Sequence, residues 1–161
     1  MNKYLTKIAQ QLKEEAHPSS LGIDLDKGTD PELHKWLIAV TLFSKPIQRS
    51  VAARTSMQLS SEGIDSPEAI GKAGYSNLLE SLQRGHYSRY DESTAKTLLI
   101  QAKQLHDQYG SISDFVARRT PEEIRKEIIN LRGIGPMGSK LFVEGLEPHL
   151  QKFQKPVEHP V

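Results

Sequence analysis

Residues 123–145 read EIRKEIINLRGIGPMGSKLFVEG, with two glycines, Gly133 and Gly135, set one residue apart between two stretches of helical character. A turn that tight uses positive or crowded backbone angles, which glycine tolerates, and it leaves successive backbone N–H groups facing outward. Together with the positive end of the following helix, such N–H groups suit a phosphate oxygen. In the first turn of that helix Lys140 can add a charge-assisted contact and the Ser139 hydroxyl a neutral one. Ile134, between the glycines, is expected to point inward and hold the two helices together. The same spacing also fits an ordinary corner between helices whose glycines only permit close packing.

Upstream of this corner the chain reads as helix after helix. Leu5, Ile8, Ala9 and Leu12 give one amphipathic face from Asn2 to about Ala16, followed by a loop from His17 to Thr29. Asp30 before Pro31 is an N-cap signal, and Leu33, Trp36, Leu37 and Val40 supply the buried stripe of a helix that stops near Ser44. A third helix is expected from Pro46 to Ser60, a short one from Ser66-Pro67-Glu68 to Gly74, and another from Tyr75 to Arg84. Ala95, Leu98, Leu99, Ala102 and Leu105 keep the helical period from Asp91 to Tyr109, where Gly110 closes it. A short helix over Ser113 to Arg118 precedes Thr120-Pro121-Glu122-Glu123, which repeats the cap-plus-proline signal and opens a helix to Asn130. No alternating apolar pattern bounded by hairpin turns occurs, so the predicted fold is all-α, a compact multi-helix bundle with short connections. The expected organisation is an N-terminal helix and loop over 1–29, a helical domain over 30–149 and a C-terminal tail over 150–161.

Composition narrows the chemistry without naming it. The 161 residues contain no cysteine, which removes iron-sulfur clusters, cysteine-based zinc sites and thiol catalysis. A chain this long buries about two-thirds of the surface its unfolded form exposes and needs no disulfide to fold. Lys and Arg number 21 against 20 Asp and Glu, so a polyanionic partner must be met by a local basic patch. No apolar run approaches the roughly 18 residues of a membrane span, and the first residues are too polar for a signal-peptide core. The expected compartment is the cytoplasm. The six histidines show no ligand spacing, and no transition-metal site is predicted.

The segment Leu131-Arg132-Gly133-Ile134-Gly135-Pro136-Met137-Gly138-Ser139 resembles the helix-hairpin-helix of the HhH-GPD superfamily of base-excision DNA glycosylases, whose pattern is L-P-G-[IV]-G-x-x-[TG]-[AS]. Leu37 to Phe43, after Asp30-Pro31, is similar to the L-I-A-x-x-L segment of endonuclease III relatives. Gly85-His86-Tyr87, the long helix bearing Ala95, and Tyr109-Gly110 look like the passage that precedes the hairpin in that family. The likeness runs from about Pro31 to Leu146.

What the resemblance implies is specific. Duplex DNA is the partner, held by the hairpin residues Gly133, Ile134, Gly135, Met137, Gly138, Ser139 and Lys140. The carbonyls of Ile129, Leu131 and Ile134 are where family members hold a monovalent cation. No other cofactor is required, and the family's C-terminal iron-sulfur cluster is absent with the cysteines. Lys45, Gln48 and Arg49 fall in the loop whose side chains fill the gap left by a flipped base, although a solvated loop would have the same composition. Met137 stands where bifunctional members carry the Schiff-base lysine and cannot form an imine, which leaves water as the nucleophile. Glu158 stands at the place of the family's catalytic aspartate; it also reads as a solvated residue of a proline-rich tail. The implied activity is monofunctional N-glycosylase chemistry on a damaged or mismatched base. Met137 and the end of the sequence at Val161 equally fit a catalytically inactive module for DNA or protein contacts.

Overall fold

In the computed structural model, which describes residues 17–155, every regular element among the described residues is helical. Seven α-helices follow one another: α1 (Asp30–Phe43), α2 (Arg49–Ser61), α3 (Pro67–Arg84), α4 (Asp91–Tyr109), α5 (Ile112–Val116), α6 (Pro121–Glu127) and α7 (Pro136–Leu146). Short 3-10 turns cover Pro18–Leu21, Leu25–Lys27, Ile128–Asn130 and Glu147–Lys152. None of these helices is long and apolar enough to cross a membrane. The helix expected over Asn2 to Ala16 and the Glu158 segment lie outside the described residues.

α1 is the axis of the molecule. Leu33, Trp36, Leu37, Ile38, Ala39, Val40 and Leu42 are all buried, which makes it apolar on nearly every side, as a helix enclosed by others must be. α2, α5 and α7 pack on it, while α3 and α4 pair as an antiparallel second layer. Trp36 fixes α7 against α1: its indole Nε1 donates to the Phe142 carbonyl at 3.0 Å, and its ring leaves no space for a side chain at Gly145. Truncating a side chain buried this completely costs about 3–5 kcal/mol.

Several local expectations shift by tertiary context. Asp30 is inside the first turn of α1, with Thr29 as N-cap, and its Oδ1 accepts instead from the Ser113 N–H at 3.0 Å, tying α1 to α5. α2 begins at Arg49 and not at Pro46, because the Ile47 N–H closes a tight turn on the Lys45 carbonyl at 2.8 Å. Gly74, at φ 75°, breaks α3 where the two expected helices meet. Residues 17–29, read as loop, carry Leu21, Ile23 and Leu25 into the core. The stretch to Lys155 folds back as well: Phe153 is buried, and Gln154 Nε2 donates to the Val116 carbonyl at 2.9 Å.

Candidate functional site

The α6–α7 corner is built from both ends. Thr120 and Glu123 form a reciprocal capping box at the start of α6, and the hydrogen bonds at Thr120 hold the Glu123 carboxyl below its ordinary range. After the 3-10 turn Ile128–Asn130, Leu131 is extended and Gly133 takes φ +88°. Ile134 then turns inward, 4% exposed, with its N–H on the Leu131 carbonyl at 3.2 Å. α7 starts at Pro136, with Gly135 as its N-cap.

The two glycines of this corner are there for different reasons. Gly133 has the positive angle, and a Cβ on it would lie 2.5 Å from Thr97 Cγ2 and 3.1 Å from Thr41 Cγ2. Gly135 has ordinary extended angles, and nothing lies within 4 Å of where its Cβ would be. The expectation of strained or crowded angles therefore holds at Gly133 alone. At Gly135 the missing side chain has another consequence: α7 has no side-chain cap, and because Pro136 has no N–H and that of Ser139 bonds the Gly135 carbonyl, the N–H groups of Met137 and Gly138 are left at the positive end of its dipole.

On α7 the predicted residues divide. Met137 stands out at 81% exposed, and Lys140 is exposed one turn on. Ser139 does not serve as predicted: it is 1% exposed, its hydroxyl donates to the Pro136 carbonyl at 2.9 Å, and its N–H closes on Gly135 at 2.8 Å. Position 139 lies on the α6 side of α7, near Arg125 and Ile129, and the buried hydroxyl satisfies its own helix. Gly138 is also buried, and a Cβ on it would lie 3.0 Å from Ser44 Oγ and 3.5 Å from Val40 Cγ1.

A cleft of about 420 Å³ separates α7 from the end of α1 and the start of α2, with Phe43 and Arg49 on one wall and Met137, Lys140, Leu141 and Glu144 on the other. It brings together residues predicted from opposite ends of the sequence. The Arg49 guanidinium lies over the Phe43 ring at 5.3 Å, and Lys45 Nζ lies 5.7 Å from the Tyr90 ring, which Arg89 also approaches at 5.5 Å. Gln48 is exposed, and its carbonyl accepts the Val51 and Ala52 N–H groups at the start of α2. Tyr87 is the anchor of the neighbouring loop: its hydroxyl donates to the Leu42 carbonyl at 2.7 Å, and burial pushes the phenol pKa up. Lys140 meets Glu144 at 4.0 Å, an exposed pair of little strength. Lys45, Arg49, Arg89 and Arg132 pair with no carboxylate among the described residues.

Of the three carbonyls expected around a monovalent cation, that of Leu131 accepts the Ile134 N–H, and among the described residues no loop N–H bonds those of Ile129 and Ile134. Neutral backbone oxygens of this kind suit a weakly hydrated monovalent ion. No group of three or more His, Asp or Glu side chains gathers to hold a metal among the described residues.

Two residues that hold the corner carry no signal in the sequence analysis. Gln101 Nε2 donates to the Arg132 carbonyl at 2.9 Å and to Thr41 Oγ1 at 2.9 Å, and Gln104 Oε1 accepts the Arg132 N–H at 2.7 Å. The sequence offers only a glutamine at 101, level with the apolar stripe of α4, with a second three residues on. No family model, curated protein or solved structure matches the chain.

Proposed function

We propose that the chain is a duplex-DNA-binding protein of the HhH-GPD type, with the α6–α7 corner as its helix-hairpin-helix, that releases a damaged or mismatched base by hydrolysis. The observation that carries the reading is the bare, uncapped start of α7: Gly135 offers no side chain, and Met137 and Gly138, whose N–H groups it leaves uncapped, line the cleft together with Lys140 and Arg49. A DNA phosphate satisfies those N–H groups and the flanking cations together, and it is recognised without regard to sequence. A monovalent cation on the carbonyls of Ile129, Leu131 and Ile134 would add one positive charge facing the same phosphate.

A base turned out of the stack enters the cleft beside Phe43 and Met137, whose apolar surfaces replace part of the lost stacking. Met137 supplies no amine, so the N-glycosidic bond is cut by water, with Glu158 assisting. Duplexes carrying uracil, thymine or an alkylated base opposite guanine test this directly. Free base appears without strand cleavage, and Glu158→Gln abolishes it. Absence of base release from every such duplex, or full activity of the variant, sinks the enzymatic part.

A second reading, a catalytically silent DNA-binding module, is favoured by one observation: the carboxylate lining the described cleft, Glu144, is exposed and lies beside Lys140. Salt-sensitive duplex binding with no base release selects it.

A further inference from the structure

Gln101 is fully buried on a helix whose neighbouring inward residues are Leu98, Ala102 and Leu105. Its Oε1 is buried without a hydrogen-bond partner among the described residues, while both bonds of its Nε2 run to one seam, Thr41 on α1 and the Arg132 carbonyl on the corner. Gln104, one turn on, accepts the N–H of the same Arg132. Both backbone polar groups of a single residue are thus held from α4, and the next residue, Gly133, is wedged against Thr97 and Thr41. The side chain of Arg132 itself is exposed and pairs with no carboxylate among the described residues. The glycosylase pattern has proline at this place, which has no N–H to offer. Arginine here provides the N–H that Gln104 takes, and it adds a guanidinium at the apex of the corner.

We propose that Arg132 is a phosphate-binding residue of this chain and that Gln101 and Gln104 are its positioning residues. The proposal rests on the duplex-binding reading and deepens it. A planar guanidinium grips phosphate through two parallel N–H donors. Fixing its backbone in advance lowers the ordering cost of that contact.

The test uses the full chain and a short fluorescein-labelled duplex, with affinity measured across a series of salt concentrations and thermal unfolding recorded for each variant. Arg132→Ala binds about three- to tenfold more weakly at low salt, and the slope of log affinity against log salt falls by about 0.9, the signature of one lost phosphate contact. Arg132→Lys keeps the slope. Gln104→Leu weakens binding in the wild-type background and has no further effect in the Arg132→Ala background, because it acts through Arg132. A merely structural glutamine would show its loss in both backgrounds. If the wild-type chain binds the duplex and Arg132→Ala leaves affinity and slope unchanged, this inference fails and the duplex-binding reading stands. If Gln104→Leu weakens both backgrounds alike, the positioning role is wrong. If the wild-type chain shows no salt-sensitive binding, the duplex-binding reading fails and takes this inference with it.

Discussion

Two clefts of nearly equal volume, about 450 Å³ between α2 and α3 and about 420 Å³ between α7 and the α1–α2 turn, differ in the backbone donors beside them. In the first, Arg84 is engaged by Glu62 and by Glu80 at 3.5 Å, and Asn77 Nδ2 is turned onto the Ala73 carbonyl at 2.8 Å. Lys72, on the same wall, pairs with no carboxylate among the described residues. In the second, Arg49 lies on an aromatic ring, Lys140 only loosely meets Glu144, and the adjoining helix end has no cap. Each cleft thus holds a cation with no carboxylate partner among the described residues, Lys72 in one and Arg49 in the other, and the difference lies in the backbone: the second adjoins the uncapped start of α7, whose donors an incoming anion can satisfy.

The largest effect expected separates scaffold from surface within the corner itself. Gly133→Ala forces a Cβ at positive φ and into Thr97, and costs about 4 kcal/mol in urea unfolding, the sum of a left-handed penalty and overpacking. A loss below about 1 kcal/mol would mean the corner is not held by α4 as described. Acid sets the range in which the two clefts can be compared at all. His34 is fully buried with neither ring nitrogen hydrogen-bonded among the described residues, and burial lowers its pKa to about 4 against the opposing pull of Asp30 and Glu68. The unfolded chain takes up that proton near pH 6.5, the folded chain only near 4, so stability falls by as much as ~3 kcal/mol as pH drops through this window. His34→Leu should flatten that part of the pH–stability curve, and an unchanged curve would contradict the assignment.

Smaller effects bear on the comparison more directly. Arg49→Ala and Lys140→Ala should each cost about 1 kcal/mol of duplex affinity at low salt, whereas Lys72→Ala and Arg84→Ala in the other cleft should leave it unchanged. Equal losses from both clefts would erase the distinction between them. The smallest effect is on the stability of Gly135→Ala, within about 0.5 kcal/mol of wild type, since its Cβ meets nothing. The same methyl group stands on the bare start of α7 and should weaken duplex binding, so that fold and function separate at one residue.

Much of the helical order was legible because its signals are local. Ser66-Pro67 and Thr120-Pro121 open α3 and α6 at those residues, and the apolar period of α4 runs from Asp91 to Tyr109 as expected. What failed was decided by distant partners. Asp30 looked like a cap, but Ser113, 83 residues away, takes its carboxylate. Ser139 sat in a phosphate-facing turn by spacing, yet it is buried on the side of α7 that faces α6. Of the site, Met137, Lys140 and Arg49 were legible as types in a pattern, and the structure gathers them in one cleft. Gln101 and Gln104 were not, because a glutamine on a helix carries no sign of which loop it will bond.

The salt dependence of duplex binding by the full chain tests the central claim most directly. With Arg49, Arg132 and Lys140 meeting phosphates, log affinity should fall linearly with log salt at a slope of about −3, and binding should be indifferent to sequence. No binding at low salt, or binding whose strength does not change with salt, would contradict the account.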